Sequence, residues 1–98
     1  MKIMISQPMG HRSSEHIRWE REELVKKLQE QGHYVVDTIF TEEAPKGYNE
    51  AMYFLAKSIE AMSKVDAVIF MRGWQEARGC RIEYQIAKDY GKFIKEEQ

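Results

Sequence analysis

Several residue types that define whole protein classes are scarce in this 98-residue chain, and each scarcity excludes something. A single cysteine, Cys80, cannot form an internal disulfide, and no second cysteine or tight histidine pair accompanies it, so neither a disulfide scaffold nor a zinc site is expected. The three histidines, His11, His16 and His33, are scattered and predict surface or packing positions rather than metal ligation. No apolar run approaches the roughly 20 residues of a membrane span, and the short apolar start does not resemble an export signal. A cytoplasmic protein with no membrane partner is expected. An excess of charge of one sign is missing as well: 15 basic and 16 acidic side chains leave a net charge of -1, which argues against a nucleic-acid polymer as partner. No repeat, linker or low-complexity tract divides the chain.

What is present is 43% hydrophobic residues, enough for one modest core, and residues 1–98 are read as a single domain. Lys2 to Ser6 is a short apolar strand that runs into the breakers Gln7, Pro8, Met9 and Gly10. Ser13 or Ser14 can cap a helix along which Ile17, Leu24, Val25 and Leu28 recur near the helical period before Gly32 stops it. Tyr34 to Phe40 is strand-like, and Thr41 to Asn49, with Pro45 and Gly47, suits an exposed connection. Met52, Leu55, Ile59 and Met62 form one apolar stripe on a helix over 50–62, expected to face the sheet. Val65 to Met71 holds the run Ala67-Val-Ile-Phe70, as a strand covered on both faces should. A loop over 72–78, a helix from Gly79 to about Tyr90 and a last strand over 92–95 complete a β-α-β-α-β-α-β order.

Strands alternating with helices imply parallel pairing through right-handed crossovers. The expected architecture is a flavodoxin-like three-layer α/β/α sandwich on a parallel sheet of four or five strands. In such sheets ligands bind beyond the carboxyl ends of the strands where strand order reverses, which brings the loops after Ser6 and Phe70 together.

The densest cluster of chemistry runs from Asp66 to Glu83. Glu83 lies about a turn into the third helix, where the helix dipole favours the ionised carboxylate that a nucleophile needs; a stabilising acidic helix start reads the same way. Free amides around Gly79, with Arg78 or Arg81, can receive an anionic group, or Gly79 can simply reverse the chain. Ser6, Gln7, Pro8, Met9 and Gly10 can hold a sugar or phosphate, with Arg12 and Arg18 as nearby cations. Gly73 shapes the second loop, and Trp74 can stack on a base, cover the core or form a subunit contact. Asp66 begins its strand and so lies at the end opposite the expected pocket. Cys80 is read as a buried structural thiol.

Lys2-Ile-Met-Ile-Ser-Gln-Pro-Met-Gly10, the Asp66-Ala-Val strand, and Gly73-Trp74 with Ala77-Arg-Gly-Cys-Arg-Ile-Glu83 resemble the nucleoside 2-deoxyribosyltransferase-like proteins, a group that includes the 2'-deoxynucleoside 5'-phosphate N-hydrolases. The resemblance spans nearly the whole chain. It implies that Glu83 attacks the anomeric carbon of a nucleoside or nucleotide, that Asp66 supports the site, and that the chain forms a homodimer or higher homo-oligomer. No cofactor is implied. Phosphate-binding members carry a serine near the Ala77 position and a glycine at the Gln7 position, and this chain departs from both. The expected function is N-glycosidic cleavage or base exchange through Glu83, with the loop from Thr41 to Asn49 as a cover; the alternative is a non-catalytic module that binds a nucleotide or nucleotide-derived signal in the same cleft.

Overall fold

The computed structural model describes residues 1–10, 13–40 and 42–97; His11, Arg12 and Thr41, named above, lie outside the described residues. Four strands, β1 (Lys2–Ser6), β2 (Tyr34–Val36), β3 (Ala67–Phe70) and β4 (Phe93–Glu96), alternate with three helices, α1 (Ser14–Glu30), α2 (Glu50–Met62) and α3 (Arg78–Asp89). A short 3-10 turn, Trp74–Glu76, precedes α3. All strand pairs are parallel and the order is β2-β1-β3-β4, a small flavodoxin-like α/β fold.

Period-two alternation sorts β1 and β3 between two cores. Ile3, Ile5, Ala67 and Ile69 face α1, meeting Leu24 and Leu28. Met4, Val68 and Phe70 face the opposite layer, meeting Met62 of α2 and Ala87 of α3. Both central strands are therefore covered on both sides, which accounts for the unbroken apolar run in β3. The cover thins towards β4: Phe93 pairs with Ala67 but is 66% exposed.

Local chemistry fixes the helix ends. Ser13 caps α1 by accepting from the His16 amide at 3.1 Å, and Asn49 caps α2 through the Met52 amide at 3.0 Å. Helix α3 has no side-chain cap at Ala77. Gly73 turns the chain after β3 at φ 88°, a conformation that a side chain would strain.

Some elements differ from their sequence expectation. Strand β2 stops at Val36 instead of Phe40, because Asp37 turns its carboxylate onto the Ile39 amide and Thr38 is drawn into a buried polar cluster. Helix α3 begins at Arg78, one residue before Gly79. The stripe on α2 does not face the sheet throughout: Met62 is buried, whereas Met52 is 68% exposed. Ala51, Phe54 and Leu55 in the first turns of α2 line a cavity together with Ile5 and Ser6 of β1.

Candidate functional site

A cavity of ≈ 370 Å³ lies at the carboxyl end of β1, where the strand order reverses. Ser6, Gln7 and Met9 from the first crossover, Ile39 and Phe40 after β2, Phe54, Leu55 and Ser58 of α2, and Ala77, Gly79, Cys80 and Glu83 of α3 line it. The rings of Phe40 and Phe54 lie nearly parallel with centroids 6.2 Å apart, giving the cavity an aromatic wall. Beside that wall, Tyr53 packs edge-on against Phe54 and Lys57 lies over Phe40, and both are joined by Glu42, whose carboxylate accepts from the Tyr53 hydroxyl and pairs with Lys57 Nζ at 3.2 Å.

Glu83 is on the inward face of α3, one step of three after Cys80 and one of four before Ala87, and all three are buried. It is 7% exposed. Ser6 faces the same layer as Met4, so its hydroxyl reaches across and donates to Glu83 Oε1 at 2.7 Å. Burial pushes the Glu83 carboxyl above its ordinary range, while the hydroxyls of Ser6 and Ser58 and the charge of Arg21 pull it back. Desolvation is the largest influence on this carboxyl, and it acts in the direction opposite to the helix dipole expected to favour the ionised form. Cys80, 4% exposed, is the buried thiol expected, and burial raises its pKa as well.

Facing the cavity from α1 is Arg21, a residue the sequence reading passed over in favour of Arg18. Arg21 is 5% exposed. Its Nε donates to Gln7 Oε1 at 3.0 Å and its Nη1 to Thr38 Oγ1 at 3.1 Å, and Gln7 in turn donates to the Ile17 carbonyl at 2.9 Å. Burial lowers the Arg21 pKa from its ordinary value, opposed by the charges of Asp37 and Glu83. A signal was available: Arg21 falls on the inward stripe with Ile17, Leu24 and Leu28, a place where a charge requires a reason. Arg18 is on the exposed side of α1.

Of the other residues singled out, Ser6, Gln7, Met9 and Gly79 line the cavity with Glu83, whereas Pro8, buried, and Gly10, exposed, do not. Gly73 and Trp74 line a separate depression with Arg72, Gln75, Glu96 and Glu97. The Trp74 indole stacks on Tyr84 with centroids 4.3 Å apart, packs on Phe70, and donates to Glu96 Oε1 at 3.1 Å. It covers the core beside β4, one of the roles open to it. Arg78 is exposed and off the cavity. Asp66 lies at the far end of the sheet, as its place at the start of β3 requires, and accepts from the Lys2 amide at 2.9 Å.

A family model described as a domain of unknown function, DUF4406, matches residues 1–96. The chain belongs to the DUF4406 family. No curated protein and no solved structure matches it. In this DUF4406 chain no described helix is long and apolar enough to cross a membrane. Among the described residues no group of three or more His, Cys, Asp or Glu side chains is placed to hold a metal ion.

Proposed function

We propose that the protein cleaves or exchanges the N-glycosidic bond of a nucleoside or nucleotide, with Glu83 as the nucleophile. One observation carries this reading: a carboxylate that takes the place of a core residue on α3, held by the Ser6 hydroxyl at the wall of a nucleoside-sized cavity. Burying a carboxylate is costly unless it is paired or put to use, and here it is oriented by hydroxyls, with no direct ion pair among the described residues. In the proposed step a Glu83 oxygen bonds to the anomeric carbon as the bond to the base nitrogen breaks. The electron pair of the broken bond leaves with the base, which takes up a proton from water; water or a second base then attacks the anomeric carbon, gives up a proton to solvent, and displaces Glu83 as the free carboxylate. Phe40 and Phe54 offer apolar surface to the base. We place the protein in the cytoplasm as a homodimer or higher homo-oligomer, in keeping with the family it resembles in sequence.

The nucleophile must be ionised, and burial raises its pKa, so turnover should rise with pH through a value above that of an ordinary glutamate. Incubation with a panel of nucleosides and deoxynucleotides, followed by chromatography for free base, tests the reading. Base release that disappears in Glu83→Gln supports it; no release from any substrate, or release undiminished in the variant, contradicts it. A second reading, a non-catalytic nucleotide-binding module, draws on the same burial, because a carboxyl that keeps its proton binds by hydrogen bonds instead of attacking. Calorimetric binding without base release would select it.

A further inference from the structure

We propose that Arg21 forms an oxyanion subsite in the cavity, which receives the phosphate of a nucleotide. The nucleotide assignment rests on the N-glycosidic reading above; the subsite itself does not. A guanidinium has five N–H donors in a planar fork. Three are engaged: Nε with the Gln7 side-chain carbonyl, Nη1 with the Thr38 hydroxyl, and Nη2 with the Ile5 carbonyl at a long 3.4 Å. Among the described residues nothing engages the remaining N–H on each terminal nitrogen, the pair that suits bidentate contact with two oxygens of a phosphate or carboxylate.

All three acceptors are neutral. Asp37 and Glu83 act on Arg21 only through their fields, and among the described residues no carboxylate forms an ion pair with it. Burying a cation, here 5% exposed, is costly where no described carboxylate touches it. The framing groups are themselves fixed: Gln7 by its bond to the Ile17 carbonyl, and Thr38 by its own bond to the Ile5 carbonyl at 3.2 Å. The fork is thus held at the cavity wall with two donors that no described residue engages and no described carboxylate in direct contact, which is what an anion-recognising residue requires and what packing alone does not. The absence of a glycine at the Gln7 position takes on a use here: the Gln7 side chain orients Arg21.

The test has two arms. In the first, the Arg21 Nε–Hε signal is followed by NMR in the unmodified protein during titration with inorganic phosphate, with chloride at equal ionic strength as control and sodium acetate in parallel to compare a carboxylate. A saturable shift with phosphate, absent with chloride, is expected. In the second, calorimetry compares 2'-deoxynucleosides with their 5'-monophosphates. The monophosphates should bind about tenfold more tightly or better, and Arg21→Gln should erase that preference while Arg21→Lys keeps part of it. No saturable response to phosphate together with equal affinities for nucleoside and nucleotide would overturn the subsite. A phosphate response without binding of any nucleoside or nucleotide would uphold the subsite and remove the nucleoside reading. Should Arg21→Gln fail to fold, the first arm still decides.

Discussion

The two ends of β1 each meet a carboxylate, and the two behave differently. At the amino end, Asp66 is exposed and accepts one backbone N–H, from Lys2. At the carboxyl end, Glu83 is buried, takes a hydroxyl from Ser6, and stands on a cavity wall opposite a buried arginine. The chemical group is the same; the amount of water around it is not. Exposure leaves Asp66 a strand-edge fastener, whereas burial makes Glu83 a group whose proton affinity and orientation are set by the fold.

Charge-removing substitutions at the two ends give the widest contrast. Glu83→Gln should lower base release by about 10³-fold or more, whereas Asp66→Asn should leave it within about twofold, measured as kcat/KM on the best nucleoside of the panel. A large loss from Asp66→Asn would show that the far end of the sheet reaches the chemistry, as the family resemblance implies and the geometry does not. A second contrast compares the covered centre of the sheet with its thin edge. Phe70→Ala should cost about 3–5 kcal/mol in urea unfolding, because it empties a fully buried site, and Phe93→Ala at the exposed edge about 0.5 kcal/mol or less.

The pH dependence of stability sharpens the comparison further. A carboxyl whose folded pKa is raised stabilises the fold fully below its unfolded value, and that contribution is lost as pH rises through the folded value. Burial raises Glu83 in this sense. Glu83→Gln should therefore raise Tm at pH 7, and the gain should shrink towards nothing as the pH falls below about 4.3. A Tm gain that persists unchanged in acid would assign the burial another role. A modest effect belongs to the other end, where Asp66→Ala should cost about 1 kcal/mol, the net worth of one exposed hydrogen bond.

The sequence carried the fold further than the site. Alternating strand and helix signals are strong where a period is pure: α2 occupies residues 50–62 as its spacing predicts, and the apolar run of β3 marks the centre of the sheet. Strand β2 was overdrawn because Thr38 and Ile39 have strand-forming side chains but serve the cavity. Within the site, Glu83 and Ser6 were legible from the loop logic of parallel sheets, and Gln7, Met9 and Gly79 came with them. Trp74 was ambiguous by nature, since an indole suits a base and a core alike, and its stack on Tyr84 depends on a residue ten positions later. Arg21 was hidden for a different reason. A sequence read for apolar stripes passes over a charge set within one, and only the packing of Gln7 and Thr38 shows how that charge is housed.

The central claim, that the Glu83 carboxylate bonds to the sugar, is tested most directly by acid-quenching the protein during turnover of an accepted nucleoside and mapping its peptides by mass spectrometry. A mass increment equal to the sugar residue, confined to the peptide containing Glu83 and absent from Glu83→Gln, is the predicted result. Base release at an undiminished rate by Glu83→Gln, with no adduct on that peptide in the unmodified protein, would contradict it.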